Sequence, residues 1–470
     1  MVQLGAIRLV LRAVRRLLLI PAIVLVVLGA PAFALDSPRG APPDVTETEL
    51  PLGDAAGPGA QATTETPADL VGVKWVGDPD AEFRIEVRHE GSDHWEPAAT
   101  LGATDIGADD GSADARAAAR ALDGSLVSDP VAVEDSTAVR VTVVSGTVGD
   151  VSVASVVSGD QSAPSGSASA WGGSLPGTPD RFAYAAALVV LGLALGAVAL
   201  GWSPWRSPRT HLVIGVVAIL LLAACAPEPP PDPPPPGGVT PPQPAIITRA
   251  QWGAQPFSAS PDCQPGPEIA PTLKFAVVHH TVTPNTDSAA FGKSRVLNIQ
   301  AYHMGVNGYC DIAYNFLIDR YGQIYEGRAG GIAKAVVAAH AGGFNTGSTG
   351  VALIGTYTSE QPPPAQWDAL VSLLAWKLSV HHLDPSLGFS TTAGSFSGSK
   401  FAAGGTVTMA NAIVGHRDVD FTECPGDAFY PRLQELRNAV QPKVGWGDTV
   451  TTTTSSPPPS TPTTTVTTAH

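Results

Sequence analysis

The sequence predicts a mixed α/β block in its C-terminal half, preceded by a small β-sandwich-like domain and a transmembrane helical hairpin. Three observations predict this. Apolar and polar residues alternate with period two between residues 69 and 158. Two apolar runs without charge follow, at 182–202 and 212–226. Beyond residue 246, an apolar β-branched run ends at paired histidines and is followed by segments of helical periodicity.

The chain has 470 residues and a formal charge of −15. Charged residues make up 15% of it, against roughly 25% in ordinary globular proteins. The acidity is local: residues 36–180 sum to −18, while residues 246–446 sum to −1. An acidic chain of low charge density argues against nucleic acid as a partner, since phosphate contacts need clustered Lys and Arg.

Residues 1–34 read as an export signal, with Arg8, Arg12, Arg15 and Arg16 before an apolar run and small residues at Ala32 and Ala34. An uncleaved anchor is the alternative. Residues 35–66, rich in Pro, Ala and Thr, are expected to be loose. Within residues 67–160, Phe83, Ile85 and Val87 alternate with charged neighbours, as do Val139, Val141 and Val143, and then Val151 and Val153. That pattern reads as short antiparallel strands, and it carries no readable chemistry. Residues 161–181 read as a linker.

At 1.5 Å per residue the 182–202 helix would be roughly 30 Å long, enough to cross a bilayer. The 212–226 run is shorter. Arg206 and Arg209 between the two fit a cytoplasmic turn, which would leave both flanking blocks outside. A buried pair of core helices is the alternative. The second run ends Leu222-Ala223-Ala224-Cys225, which resembles a lipoprotein signal and makes Cys225 a candidate for acylation. Eleven prolines within residues 226–245 predict an extended spacer before the C-terminal block. The Thr/Pro-rich tail, residues 447–470, is expected to be disordered.

In the C-terminal block, 246–446, the run from Lys274 to Val278 reads as a buried strand ending at His279 and His280. Adjacent strand residues face opposite sides, so one of the two can point into a shared site. A third histidine, His416, lies eight residues before Cys424 on a loop closed by Pro425-Gly426. Two imidazoles and a thiolate suit Zn²⁺ with one open position. Ser294 to Met304, Trp367 to His381 and Phe429 to Val440 read as helices. No HExxH helix is present.

Six ordered motifs carry a resemblance: Ile247-Thr248-Arg249-Ala250-Gln251-Trp252-Gly253; Val278-His279-His280-Thr281; Tyr302-His303; Asp311-Ile312-Ala313-Tyr314-Asn315-Phe316; Tyr325-Glu326-Gly327-Arg328; and Gly415-His416-Arg417-Asp418-Val419 through Cys424-Pro425-Gly426. Together they resemble the peptidoglycan recognition protein family, also called type-2 N-acetylmuramoyl-L-alanine amidases, over residues 246–440. The family's usual glycine after Asp-Ile is Ala313 here.

The resemblance implies a zinc amidase domain with a mixed, mostly parallel central sheet flanked by helices. It implies His279, His416 and Cys424 as zinc ligands, with His280 packing nearby. Tyr314 and Thr422 are implied to assist hydrolysis of the amide between muramic acid and L-alanine. His303, Asn315, Arg328, His340, Asn345 and Arg417 become candidates for binding glycan and stem peptide; the alternative for each is a structural hydrogen bond. Cys263 and Cys310 are expected to form a disulfide. The Gly/Ser/Thr-rich stretch 384–407 resembles a loop insertion of exported bacterial members. The expected protein is an exported, membrane-anchored monomer with its amidase domain on the wall side. The competing expectation is a membrane-tethered peptidoglycan binder without turnover.

Overall fold

The computed structural model describes residues 42–158 and 240–445, and both stretches belong to one compact unit. The export signal, both apolar runs with Cys225, the linker 161–181, most of the proline spacer and the tail lie outside the described residues. Among the described residues no helix is long and apolar enough to cross a membrane.

The first stretch contains β1 (Asp44–Glu49), β2 (Gln61–Thr64), β3 (Ala68–Gly77), β4 (Glu82–His89), β5 (Glu96–Leu101), α1 (Ala113–Leu122), β6 (Leu126–Val127), β7 (Val131–Ser145) and β8 (Val148–Val157). The strands are antiparallel and run β1-β8-β3-β7-β4-β5, with β2 beside β7 and β6 beside β3. The alternating positions are the core: Phe83, Ile85, Val87, Val139, Val141, Val143, Val151 and Val153 pack with Val71, Val73 and Trp75.

Two expectations are corrected here. In place of two separate sheets there is one eight-stranded sheet, because β7 is long enough to serve both halves. Its first residues pair with β3, and its later ones pair with β4 and β2. Residues 35–66 were expected to be loose, yet they contain β1 and β2. β1, Asp-Val-Thr-Glu-Thr-Glu, lacks apolar alternation because it is an edge strand, paired with β8 from Asp44↔Val157 to Glu49↔Ser152. Backbone pairing rather than side-chain burial places it.

The second stretch contains β9 (Ile246–Ile247), α2 (Arg249–Trp252), β10 (Phe275–His280), α3 (Gly292–Gly305), β11 (Phe316–Ile318), β12 (Ile324–Glu326), β13 (Ser348–Leu353), α4 (Pro364–Val380), β14 (Phe389–Thr392), β15 (Thr406–Met409), β16 (Ile413–Gly415) and α5 (Leu433–Val440). Its central sheet runs β16-β10-β13-β11-β12-β9. All neighbours are parallel except β11 and β12. α4 lays Leu370, Leu373, Leu374 and Leu378 on one face of this sheet. The closing helix starts later than expected: Tyr430–Arg432 is a 3₁₀ turn containing Pro431, and α5 begins at Leu433. The Gly/Ser/Thr-rich stretch is partly ordered as the β14–β15 hairpin, and Phe389 stacks on Phe275 with 4.1 Å between ring centroids.

The two stretches share a core. Leu70, Ile106, Val127, Ala132 and Val156 of the first pack with Val296, Ile299, Tyr302 and Tyr309 of the second. Tyr302 donates its hydroxyl proton to the Ser128 carbonyl at 3.0 Å. Gly72 has no room for a side chain, since a Cβ there would stand 1.7 Å from the Tyr302 hydroxyl. Cys263 and Cys310 form a disulfide that packs under Ala117 of α1.

Candidate metal centre

Parallel register places two of the histidines. Val278 of β10 is opposite Gly415 of β16, so His279 and His416 are the next residues at the same ends of neighbouring strands. His416 opens a 3₁₀ turn, His416–Asp418, held where the Gly415 N–H donates to Asp418 Oδ2 at 2.8 Å. From there the chain loops back to Cys424. The Arg417 N–H donates to the Cys424 carbonyl at 2.9 Å, and the Arg417 guanidinium donates to the Glu423 and Cys424 carbonyls and to Asp427.

The ligand-capable atoms of His279, His416 and Cys424 all lie within 4.8 Å of one another, and all three residues are buried. His279 Nδ1 is 3.7 Å from Cys424 Sγ. Each imidazole is held from its far side. His279 Nε2 meets His340 Nδ1 at 3.0 Å, and His340 Nε2 meets Ser348 Oγ at 3.2 Å. His416 Nε2 meets Asp420 Oδ2 at 3.0 Å. His416 Nδ1, buried and facing the cluster, has no hydrogen-bond partner. A buried orphan nitrogen is costly unless something else takes its lone pair. Two anchored imidazoles, a thiol and that orphan atom fit a tetrahedral zinc with one position left open.

Burial sets the charge states of the polypeptide itself. It pushes His279 well below the ordinary histidine range, with the neighbouring His416 adding to the effect. It pushes the Cys424 thiol well up, reinforced by Asp105. Tyr314 is also pushed well up by burial, helped by Asp129, and keeps its proton. His280 turns to the opposite face of β10, where its Nδ1 accepts the Tyr357 N–H at 3.1 Å. Its own N–H donates to Cys424 Sγ at 3.4 Å.

The cavity over the cluster is lined by Cys424, Tyr314, His303, His280, Thr281, Val282 and Ile299, and also by Asp105, Asp129 and Pro130 from the first stretch. Val282 sits at φ +52°, a strained position for a β-branched residue. Tyr314 lies 5.4 Å from His279, ring centre to ring centre. Thr422 accepts the Cys424 N–H at 2.9 Å and donates its hydroxyl proton to Asp105.

The groove candidates divide. His303 reaches the cavity, with Nδ1 accepting the Ala313 N–H at 3.1 Å. Asn315 does not; its amide bridges the Val336 carbonyl and the Gly350 N–H inside the fold. His340 anchors His279, and Arg417 closes the cysteine loop. Arg328 is buried against Asp114, and Asn345 Nδ2 donates to Asp109 Oδ1 at 2.8 Å, so both face the first stretch of chain. Sequence reading missed Asp420, although its spacing of four from His416 was visible. It also missed Asp105, Asp109 and Asp129, for which no local signal exists.

Comparisons with known proteins match the second stretch of the chain. The N-acetylmuramoyl-L-alanine amidase family model matches residues 270–427. Peptidoglycan-recognition protein SC2 of Drosophila melanogaster is 30% identical over 193 residues, covering 41% of this chain and 86% of that protein. N-acetylmuramoyl-L-alanine amidase of Homo sapiens is 31% identical over 193 residues, which span 28% of its own length. The solved structure of wild-type Drosophila PGRP-LB is 27% identical, covering 40% of this chain and 92% of that one, with a TM-score of 0.31. With the motifs in order and a relative matched over most of its length, the chain belongs to the peptidoglycan-recognition protein and type-2 N-acetylmuramoyl-L-alanine amidase family.

Proposed function

We propose that this protein hydrolyses the amide joining N-acetylmuramic acid to L-alanine in peptidoglycan, with zinc held by His279, His416 and Cys424. The observation that carries this reading is the convergence of those three side chains around the orphan Nδ1 of His416. When bound there, zinc would supply a water ionised near neutral pH and a Lewis acid toward the scissile carbonyl.

The protein's own groups supply the rest. His340 and Asp420 hold the two imidazoles in orientation. Tyr314, protonated at neutral pH, donates a hydrogen bond toward the oxygen that gains charge, and the Thr422 hydroxyl does the same from the cysteine loop. Water adds across the C–N bond. One proton reaches the nitrogen, the amine of L-alanine leaves, and the lactyl group leaves as a carboxylate. The export signal and the apolar runs at 182–202 and 212–226 support an exported protein held at the membrane, with this domain facing the wall.

The test is release of stem peptides with a free L-alanine amine from purified wall. The zinc-loaded full chain would be assayed as it stands and with Asp105 and Asp109 replaced by alanine. Cys424→Ser should abolish release. If no form releases peptide yet wall binding persists, the protein is a non-catalytic peptidoglycan binder.

A further inference from the structure

The loop between β5 and α1, residues 102–112, reaches the His279, His416 and Cys424 cluster, where its Asp105 lines the cavity beside Cys424. We propose that it is an autoinhibitory plug, an acidic strap occupying the place where the stem peptide would bind; this rests on the amidase reading above. The loop is extended and irregular, as a bound peptide would be. Asp105 takes the Thr422 hydroxyl proton, so one of the donors assigned to the reaction is already spent. Asp109 is held by four bonds: from the Asn345 N–H at 3.2 Å, Asn345 Nδ2 at 2.8 Å, the Thr346 N–H at 3.1 Å and Thr346 Oγ1 at 3.0 Å. The Gly107 carbonyl accepts from Asn345 Nδ2 at 2.8 Å. Ile106, between the two aspartates, is 3% exposed, and its carbonyl accepts the Tyr309 hydroxyl at 3.2 Å.

Just past the loop, Asp114 of α1 pairs with Arg328 and accepts the Cys310 N–H at 2.8 Å. Three carboxylates from one acidic segment are thus matched to donors of the catalytic domain. A stem peptide is itself extended and carries carboxylates, so the same donors suit either occupant. What remains beside Cys424 is a cavity of about 20 Å³. That admits on the order of one or two waters and no muramyl peptide. The strap must leave before substrate enters. Its removal costs the shared core Ile106 but leaves Leu70, Val127, Ala132 and Val156 of the first stretch packed on the second.

The experiment compares the full chain with its Asp105→Ala/Asp109→Ala variant. Three readings are taken: alkylation of Cys424 by iodoacetamide in zinc-stripped protein, resolved by peptide mass spectrometry; sedimentation with insoluble peptidoglycan; and release of stem peptide. The variant should alkylate at least tenfold faster and sediment at a tenfold lower wall concentration. Either reading unchanged within twofold overturns the plug. If the variant does not fold, Asp109→Asn alone serves, and Gly107→Leu acts as a wedge, since a Cβ there would stand 2.2 Å from the Phe396 ring. Equal stem-peptide release by wild type and variant also overturns the plug and leaves the amidase reading intact. Faster alkylation and tighter sedimentation with no peptide released by either form sustain the plug and remove the amidase reading.

Discussion

Thr422 gives its hydroxyl proton to Asp105, a residue 317 positions earlier in the chain. The same oxygen accepts the Cys424 N–H, so one hydroxyl ties the cysteine loop to the strap above it. In the strap-released background, Thr422→Val should lower kcat for stem-peptide release by about 100-fold with little change in KM, the size seen when one oxyanion donor is lost. Steady-state rates on a soluble muropeptide measure it. A change confined to KM would reassign Thr422 to binding.

The anchors behind the imidazoles should matter for metal more than for fold. His340→Ala leaves His279 Nε2 without its partner, and Asp420→Ala does the same for His416. Each variant is expected to bind zinc about 10- to 100-fold more weakly. Competition with a chromophoric chelator gives the affinity. Cys424→Ser should bind more weakly still, and its melting temperature should no longer respond to zinc.

Arg328 and Asp114 form a pair with side chains 2% and 7% exposed. Removing one partner strands a buried charge, so Arg328→Ala and Asp114→Ala should each cost about 3–5 kcal/mol. The double variant should cost clearly less than the sum, because neither charge is then left alone. Urea unfolding of the four proteins reads the coupling. Additive losses would mean the pair does not couple α1 to the second stretch.

Burial lowers His303 and His340 to about 3 and His280 to about 4. The unfolded chain binds protons at these sites near pH 6.5, and the folded chain does not. Stability is therefore full above pH 6.5 and falls as acid drives protons onto the unfolded state. Each histidine contributes a slope approaching about 1.4 kcal/mol per pH unit between its folded value and the unfolded one near 6.5. Denaturant unfolding of zinc-free protein at pH 7.5, 6 and 5 should show the loss. His303→Gln, whose side chain can still accept the Ala313 N–H, should make the slope shallower by one histidine's share.

Much of the fold was legible wherever burial imposes a period. The valines of β7 and β8, the leucines of α4 and the apolar run of β10 each announce their element. The convergence of His279, His416 and Cys424 was legible through spacing and motif, since they sit at strand ends and on a tight loop. The rest depended on contacts across long separations. Asp105 and Asp109 lie in a Gly/Ala/Asp stretch that reads as a solvated turn, and nothing local distinguishes a carboxylate facing water from one facing Asn345. β1 is an edge strand placed by backbone pairing. Asn315 and Arg417 looked suited to substrate because they are polar and lie in motifs, yet the fold uses their hydrogen bonds to shape its own loops.

The shared core joins the two stretches into one body. Tyr302 reaches Ser128, and Leu70 and Val156 are buried with Val296 and Ile299. Neither stretch can part from the other without opening that apolar surface to water.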